Sequence, residues 1–322
     1  FSITVQNDAP SNHFNTVLYT GNNTAKTVSV GFAPDLVWIK NRNNSTNSTH
    51  DHNLFDSLRT TGYRVKSNST AAQNDYSSHM SGFTSDGFNL TTTGALNDGS
   101  GSGTYVAWNF KAGGAAVANT DGTINSQVSV NNTLGFSIVG WTSSSTSSDT
   151  IGSGLNERVE FLITKKYSGS RDWHVWHKDL PNNGYLNLNT SSAESTPNGD
   201  RATVTNDTTF IAQSTSGDLM IAYCFASKPG FSKVGSYTGN GSTSGPMVQT
   251  GFEPAFLMIK TTGADGWFMV DNKRETSNPR GNRLFANSSV AEASEPGAQV
   301  NFYANGFQLT GSGGGQGQTN SN

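Results

Sequence analysis

The sequence predicts an all-β protein made of three tandem β-sandwich modules, the third lacking its last strand. Three observations carry that prediction. Two sequence elements recur three times in the same order, which marks a repeat array rather than one large domain. Aromatic and β-branched residues gather in short runs between turn residues, the pattern of short strands. Sustained helical periodicity is absent, while Asp86-Gly87, Asp121-Gly122 and Asn305-Gly306 are hairpin-type turn dipeptides.

Each predicted module opens on a short strand ending in an aromatic residue and Thr: Val17-Leu18-Tyr19-Thr20, Ile138-Val139-Gly140-Trp141-Thr142 and Val234-Gly235-Ser236-Tyr237-Thr238. The first recurring element follows, Gly31-Phe32-Ala33-Pro34 running on to Lys40 and Gly251-Phe252-Glu253-Pro254 running on to Lys260. Its worn middle copy is Gly154-Leu155 with Glu160-Phe161-Leu162-Ile163-Thr164-Lys165. The near-continuous apolar run over residues 32–40 predicts a strand covered on both faces. An aromatic strand comes next: Leu54-Phe55-Asp56, Trp173-His174-Val175-Trp176 and Trp267-Phe268-Met269-Val270-Asp271. The second recurring element is Asn68-Ser69-Thr70, Asn189-Thr190-Ser191 and Asn287-Ser288-Ser289. Modules one and two close on Tyr105-Val106-Ala107-Trp108-Asn109-Phe110 and Leu219-Met220-Ile221-Ala222-Tyr223-Cys224-Phe225.

Module three shows no closing strand. The spacing from Phe88 to Tyr105, applied after Phe307, places its counterpart beyond Asn322, where the sequence stops. The favoured expectation is a piece of a longer polypeptide; the alternative is a partner that donates the strand by β-augmentation. The organisation predicted is an arm over residues 1–14, modules over 15–116, 134–228 and 229–322, and a linker hairpin outside the repeat over 117–133. The short joint Ser227-Lys228-Pro229-Gly230 implies fixed placement of modules two and three.

Net charge is −3 and the pI about 6.1, so no basic field exists to hold a nucleic-acid backbone. No apolar run is long enough to cross a membrane as a helix. Cys224 is the single cysteine and lies in an apolar run, so it reads as a buried core thiol.

Candidates for chemistry are few. His50 and His52 would share one face of a strand, but residues 41–53 read as a solvated polar loop. His174 and His177 would point to opposite faces, which suits neither one metal nor one general base. Asp172, Asp179, Glu157 and Glu160 are available for acid–base work, without a matching pair in the neighbouring modules. No cofactor is expected. Ca²⁺ on loop Asp and Asn residues is the one metal weighed, and no spaced acidic loop supports it. Sequons such as Asn22, Asn44 and Asn131 follow from composition. Asn68, Asn189 and Asn287 are read as closing Asx-type turns, with a repeated glycan pocket as the sharper alternative. Lys40, Lys165 and Lys260 end the same strand three times, which suggests edge protection or a salt link. Trp173, Trp176 and Trp267 are candidate glycan contacts if exposed, against core packing as the alternative.

At this point the residues carry a likeness. The stretches GFAPDLVWIKNRNNSTN (31–47), SDGFNL (85–90), TYVAWNFKAGG (104–114), MIAYCFA (220–226) and GFSKVGSYTGNGSTSGPMVQTGFEPAFLMIK (230–260) resemble an uncharacterised repeat family of tailed marine and cyanobacterial bacteriophages. The resemblance runs from Asn15 to Leu309 and brings no catalytic motif with it. It implies a non-enzymatic virion structural protein of tail-fibre or surface-appendage type, with lectin-like, jelly-roll or laminin-G-like sandwiches. It also implies a homo-oligomer, a trimer among the options, with other virion proteins and host-surface glycan as partners. Capsid decoration or scaffolding without receptor binding is one alternative, and a polysaccharide-degrading enzyme another.

Overall fold

The computed structural model describes residues 9–43, 51–92, 94–99, 102–144, 149–181, 184–196, 201–294, 297–311 and 320. The chain is all-β: the one helical element among these residues is a 3-10 turn at Pro10–Asn12. His50, the sequon at Asn44 and residues 1–8 of the expected arm lie outside the described residues.

Three successive segments each build a two-layer sandwich. The first contains β1 (Phe14–Thr20), β2 (Lys26–Ser29), β3 (Leu36–Asn41), β4 (Asn53–Asp56), β5 (Tyr63–Arg64), β6 (Asn74–Asp75), β7 (Met80–Phe83), β8 (Gly87–Leu90) and β9 (Thr104–Phe110). Its main sheet has the order β1-β9-β3-β4, and β2-β8-β7 covers one face. Between those layers lie Val37, Ile39, Phe55, Phe88, Tyr105 and Ala107.

The second segment contains β10 (Val117–Asn119), β11 (Ser126–Asn131), β12 (Phe136–Thr142), β13 (Thr150–Gly152), β14 (Phe161–Lys166), β15 (His174–His177), β16 (Leu186–Asn187), β17 (Ala202–Val204), β18 (Thr209–Ala212) and β19 (Leu219–Phe225). Its main sheet runs β10-β11-β12-β19-β14-β15-β16, with β13-β18-β17 as the cover. The pair expected outside the repeat is therefore inside the sheet. Residues 126–131 run antiparallel to β12 from Ser126↔Trp141 to Asn131↔Phe136, so the hairpin extends a sheet whose edge would otherwise end at β12.

The third segment contains β20 (Met247–Gln249), β21 (Phe256–Ile259), β22 (Phe268–Asp271), β23 (Asn282–Phe285), β24 (Ala293–Ser294), β25 (Val300–Tyr303) and β26 (Gly306–Leu309). The sheet β21-β22-β23-β24 packs on β20-β26-β25 through Phe268, Val270, Val300, Phe307 and Leu309.

The Gly-Phe-x-Pro element starts its strand later than the apolar run suggests. Pro34 has no N–H for a ladder, and β3 begins at Leu36. Gly31 and Gly251 instead make a bend at φ 95° and 88°, where a Cβ would be strained. Their N–H groups donate to Asp86 O and Asn305 O, tying the bend to the tip of the β7–β8 or β25–β26 hairpin.

The outer faces of the three main sheets meet in a fourth core. Trp38, Val106 and Trp108 come from the first segment, Ile138, Ile163, Trp173 and Tyr223 from the second, and Trp267, Met269 and Leu284 from the third. This shared core explains why the strand pattern is apolar on both faces, with polar residues confined to turns and cover sheets.

Candidate functional site

Strand pairing aligns the three segments residue by residue. Leu36 faces Asp56, Phe161 faces His177 and Phe256 faces Asp271, each in the pair formed with the aromatic strand. Counting back along those strands makes His52, Trp173 and Trp267 equivalents. Their surroundings agree. The backbone N–H of His52 donates to Asn68 Oδ1 at 3.0 Å, and those of Trp173 and Trp267 donate to Asn189 Oδ1 and Asn287 Oδ1 at 2.8 Å. The recurrent Asn is thus a clamp on the strand start. Its side-chain oxygen serves the neighbouring strand rather than an Asx turn, which corrects the turn reading of Asn68, Asn189 and Asn287. The turn itself belongs to the next residue: Ser69, Thr190 and Ser288 accept from the backbone N–H two positions on.

The same three side chains cross between segments. Trp173 donates its indole N–H to Lys66 O at 2.8 Å, reaching from the second segment to the first. Trp267 reaches from the third to the second, donating to Asn187 O at 2.9 Å. His52 lies 2.9 Å from Phe285 O in the third segment. Because His52 Nδ1 accepts from the Trp38 indole at 2.8 Å, Nε2 carries the proton and donates. Each acceptor sits two residues before its own recurrent Asn, so the contacts form a closed cycle. Burial first, and Lys40 next, hold the His52 pKa well below its usual value and keep the ring neutral. The reading of this stretch as a solvated loop is corrected at its described ends: Asn41, His52 and Asn53 are buried.

A second cycle runs parallel to the first. Gln73 N–H donates to Tyr167 O at 2.9 Å, Glu194 N–H to Thr262 O at 2.8 Å, and Glu292 N–H to Arg42 O at 2.7 Å. These donors run the opposite way round, first to second, second to third and third to first.

The recurrent lysines sit at the same joints. Lys165 is buried and donates to Thr70 O of the first segment at 2.9 Å and to Arg171 O at 2.8 Å. Buried Lys40 donates to Asn41 O at 2.7 Å and to Ser289 O of the third segment at 3.2 Å. Lys260 turns instead to Thr261 O and Gly263 O on its own loop. Edge protection does not describe Lys40 and Lys165, which saturate carbonyls at the segment boundaries. Burial pulls all three pKa values down to about 8.

One further position distinguishes the joints. Tyr223 OH donates to Asp56 Oδ2 at 2.8 Å, and Trp108 Nε1 donates to Asp271 Oδ2 at 3.2 Å. Arg59 and Arg274, three residues on, hold those carboxylates at 2.7 and 2.6 Å. Sequence reasoning missed this pair, although the repeated Asp-x-x-Arg spacing is a usable signal. At the third joint His177 replaces the Asp and Leu180 the Arg, and both line a cavity.

That cavity measures about 1420 Å³. Its walls include Trp38 and Phe110 of the first segment, Phe161 and Phe225 of the second, and Phe256 and Trp267 of the third. It runs along the free side of β21, which pairs among the described residues only with β22, whereas β3 and β14 are flanked on both sides. The opening strand expected at Val234–Thr238 is absent too. Its counterpart β1 bonds only to β9, so without a described closing strand no ladder exists to join. The segment nevertheless lines the cavity, and Tyr237 meets Phe307 edge-on at 6.1 Å. Tyr19 meets Phe88 at 6.4 Å and Trp141 meets Phe210 at 5.6 Å in the same way.

The remaining candidates fall into place around this frame. Trp173, Trp176 and Trp267 are 0%, 8% and 3% exposed, so none presents a ring to an external glycan, and only Trp267 reaches the cavity wall. His174 is buried, with a pKa lowered to about 4 by burial and by Arg201. Cys224 is buried and its pKa is raised to about 12. Asp172 accepts from Asn189, Glu160 binds Lys178 and Ser227, and Glu157 pairs with Lys228. Among the described residues no group of three or more His, Cys, Asp or Glu side chains is placed to hold a metal ion. Among the described residues no helix is long and apolar enough to cross a membrane.

Residues 9–322 match the family described as Domain of unknown function (DUF7483). No curated protein and no solved structure matches the chain.

Proposed function

Since the chain belongs to the DUF7483 family, whose description names no activity, we propose from its residues that it is a structural protein of a bacteriophage particle. In this reading it is a building block of a tail fibre or another surface appendage, located on the virion surface. It works by assembly with other virion proteins rather than by chemistry. One observation supports the assembly half of this reading above all: the residues that recur through the chain are used up inside it, within segments and between them. Asn68, Asn189 and Asn287 clamp strands, Trp173 and Trp267 cross joints, and Lys40 and Lys165 saturate carbonyls. A repeated binding or catalytic site would need such residues facing outward. The particle itself is drawn from the phage-like stretches, such as residues 104–114 and 230–260.

Within the virion reading, burial of Trp173, Trp176 and Trp267 favours a rigid structural part over glycan adhesion through those rings. The assembly includes further copies of this chain, a trimer among the options. Cryo-electron microscopy of intact particles, with a Fab raised against the folded chain, tests the proposal. Density in a projecting appendage is the expected result; a chain missing from purified particles would sink it. A polysaccharide-release assay checks the enzymatic rival, with no turnover expected.

A further inference from the structure

One outer surface breaks the repeat. Aligning the three cover sheets on Phe88, Phe210 and Phe307, each buried between its layers, makes Val28, Ile151 and Val248 counterparts that face inward. The same alignment makes Thr27, Thr150 and Met247 counterparts that face outward. On the opposite edge strand Thr84, Thr205 and Tyr303 correspond, each following an inward Phe83, Val204 or Phe302. The inward face thus stays apolar in all three segments, while the third exchanges two outward threonines for Met247 and Tyr303.

The threonines have local work. Thr84 Oγ1 accepts from Asp86 N–H at 3.3 Å and Thr205 Oγ1 donates to Thr209 O at 3.0 Å, so both serve their own hairpin turn. Tyr303 does not. Its OH accepts from Asn301 Nδ2 at 3.0 Å and donates to Gln308 Oε1 at 3.4 Å. Asn301 lies two residues back on the same strand and Gln308 on the next, so these bonds lay the ring along the sheet with one face to solvent. Tyr303 is 40% exposed, the one aromatic ring among the exposed large hydrophobic side chains of the described residues. Met247, on the same face, is 42% exposed. We propose that the outward face of the β20-β26-β25 sheet binds an uncharged glycan, with Tyr303 beneath a sugar ring and the surrounding amides on its hydroxyls. This assignment is independent of the virion reading.

The chemistry of the face matches a sugar. Its outward positions are Met247, Gln249, Asn301, Tyr303, Gly306 and Gln308, and none carries a charge. A sugar ring presents C–H groups from its flat side and hydroxyls around its rim. The electron-rich face of a tyrosine attracts the first, and an amide, with donor and acceptor in one plane, matches adjacent members of the second. Asn301 Oδ1 is buried with no hydrogen-bond partner among the described residues. Gln249 Oε1 is taken by Asn305 Nδ2, which leaves the Gln249 N–H groups and the Asn305 amide oxygen available among the described residues. Gly306 pairs with Gln249 on one side and Tyr303 on the other, so a bare floor joins amide to ring. Size also selects the occupant. Three strands at ~4.8 Å spacing make a face about 10 Å across, whereas each partner in a stable protein pair covers ~800 Å². An acidic glycan would find no cation on these positions to pair with its carboxylates.

The test uses the intact chain and immobilised short homo-oligomers of glucose, galactose, mannose and N-acetylglucosamine, with oligogalacturonate as the acidic comparison. The expected result is saturable binding to at least one neutral oligomer, with new amide-exchange protection confined to residues 247–249 and 301–308. Tyr303→Thr, which restores the residue of the other two segments, should weaken binding about tenfold or more. It should shift the thermal unfolding midpoint by no more than about 2 °C, as an exposed substitution does. Tyr303→Phe keeps the ring and should weaken binding less. Leu18→Ala, at an exposed position of the first segment, should bind as the parent does. No binding to any neutral oligomer, tighter binding of oligogalacturonate, or unchanged affinity in Tyr303→Thr would overturn the proposal. So would self-association of the parent that Tyr303→Thr abolishes, because a second copy would then cover the face. Exchange protection in the parent keeps the test decisive if a variant misfolds.

Discussion

Trp173 donates its indole N–H to the carbonyl of Lys66, 107 residues earlier in the chain and in a different segment. The indole is wholly buried and stacks near Tyr223, 6.4 Å between ring centres. It is at once the residue that leads into β15, a member of the shared core and one link in a three-link cycle.

Trp173→Ala should therefore destabilise the chain by about 3–5 kcal/mol, the usual cost of removing a large buried aromatic side chain. Trp173→Phe keeps most of the packing and loses the donor, so it should cost about 1–3 kcal/mol. Denaturant unfolding followed by Trp fluorescence and circular dichroism distinguishes the two. Equal, negligible losses would mean that the joint contributes little.

Asn189 and Asn287 make the same clamp with different neighbours. Asn189 donates its amide N–H to Asp172 at 2.7 Å, whereas the residue before Trp267 is Gly266. Asn189→Asp places two carboxylates in contact; Asn287→Asp does not. The first change should cost more at pH 7, and the gap should narrow below about pH 4, where carboxylates protonate. Unfolding of both variants at pH 7 and near pH 3.5 measures it.

Lys165 has a folded pKa of about 8 against a usual 10.5. Between those values the unfolded chain holds the proton and the folded chain does not, so stability contributed by this group rises with pH across the window. Lys165→Met removes the titration. The parent should gain stability relative to Lys165→Met as pH increases from 8 to 10.5, and a difference independent of pH would contradict the lowered pKa.

His174 acts on the acid side. Its folded pKa of about 4 lies below the usual 6.5, so the unfolded state takes up a proton first as pH falls. Stability should drop between pH 6.5 and 4, and His174→Gln should flatten that part of the profile. Thermal melts across that range, parent against variant, read the effect directly.

Much of the strand order was legible because repetition and turn chemistry are local. The Gly-Phe-x-Pro bend, the aromatic strand and the Asp-Gly or Asn-Gly hairpins each announce themselves within a few residues. The roles of the recurrent polar residues were not legible, since their partners lie in other segments. Asn68 looks like a turn residue beside Ser69, yet its acceptor oxygen serves His52, sixteen positions back. Lys40 looks like an edge guard until the carbonyl of Ser289 is placed beside it. Polar composition around His52 likewise hid a buried imidazole, because composition does not register the joint at which that ring sits.

The link from His52 to Phe285 joins residues 233 positions apart, and Arg42 meets Glu292 across 250. During synthesis the first segment can complete its own sandwich long before those partners leave the ribosome. Its share of the central core, with Trp38 and Trp108, must wait in a nascent chain whose remaining walls do not yet exist. Such late, distant contacts slow the final step and lengthen the interval of apolar exposure. The third segment thus serves as the keystone, and a premature stop within it would leave two finished sandwiches around an unsealed centre.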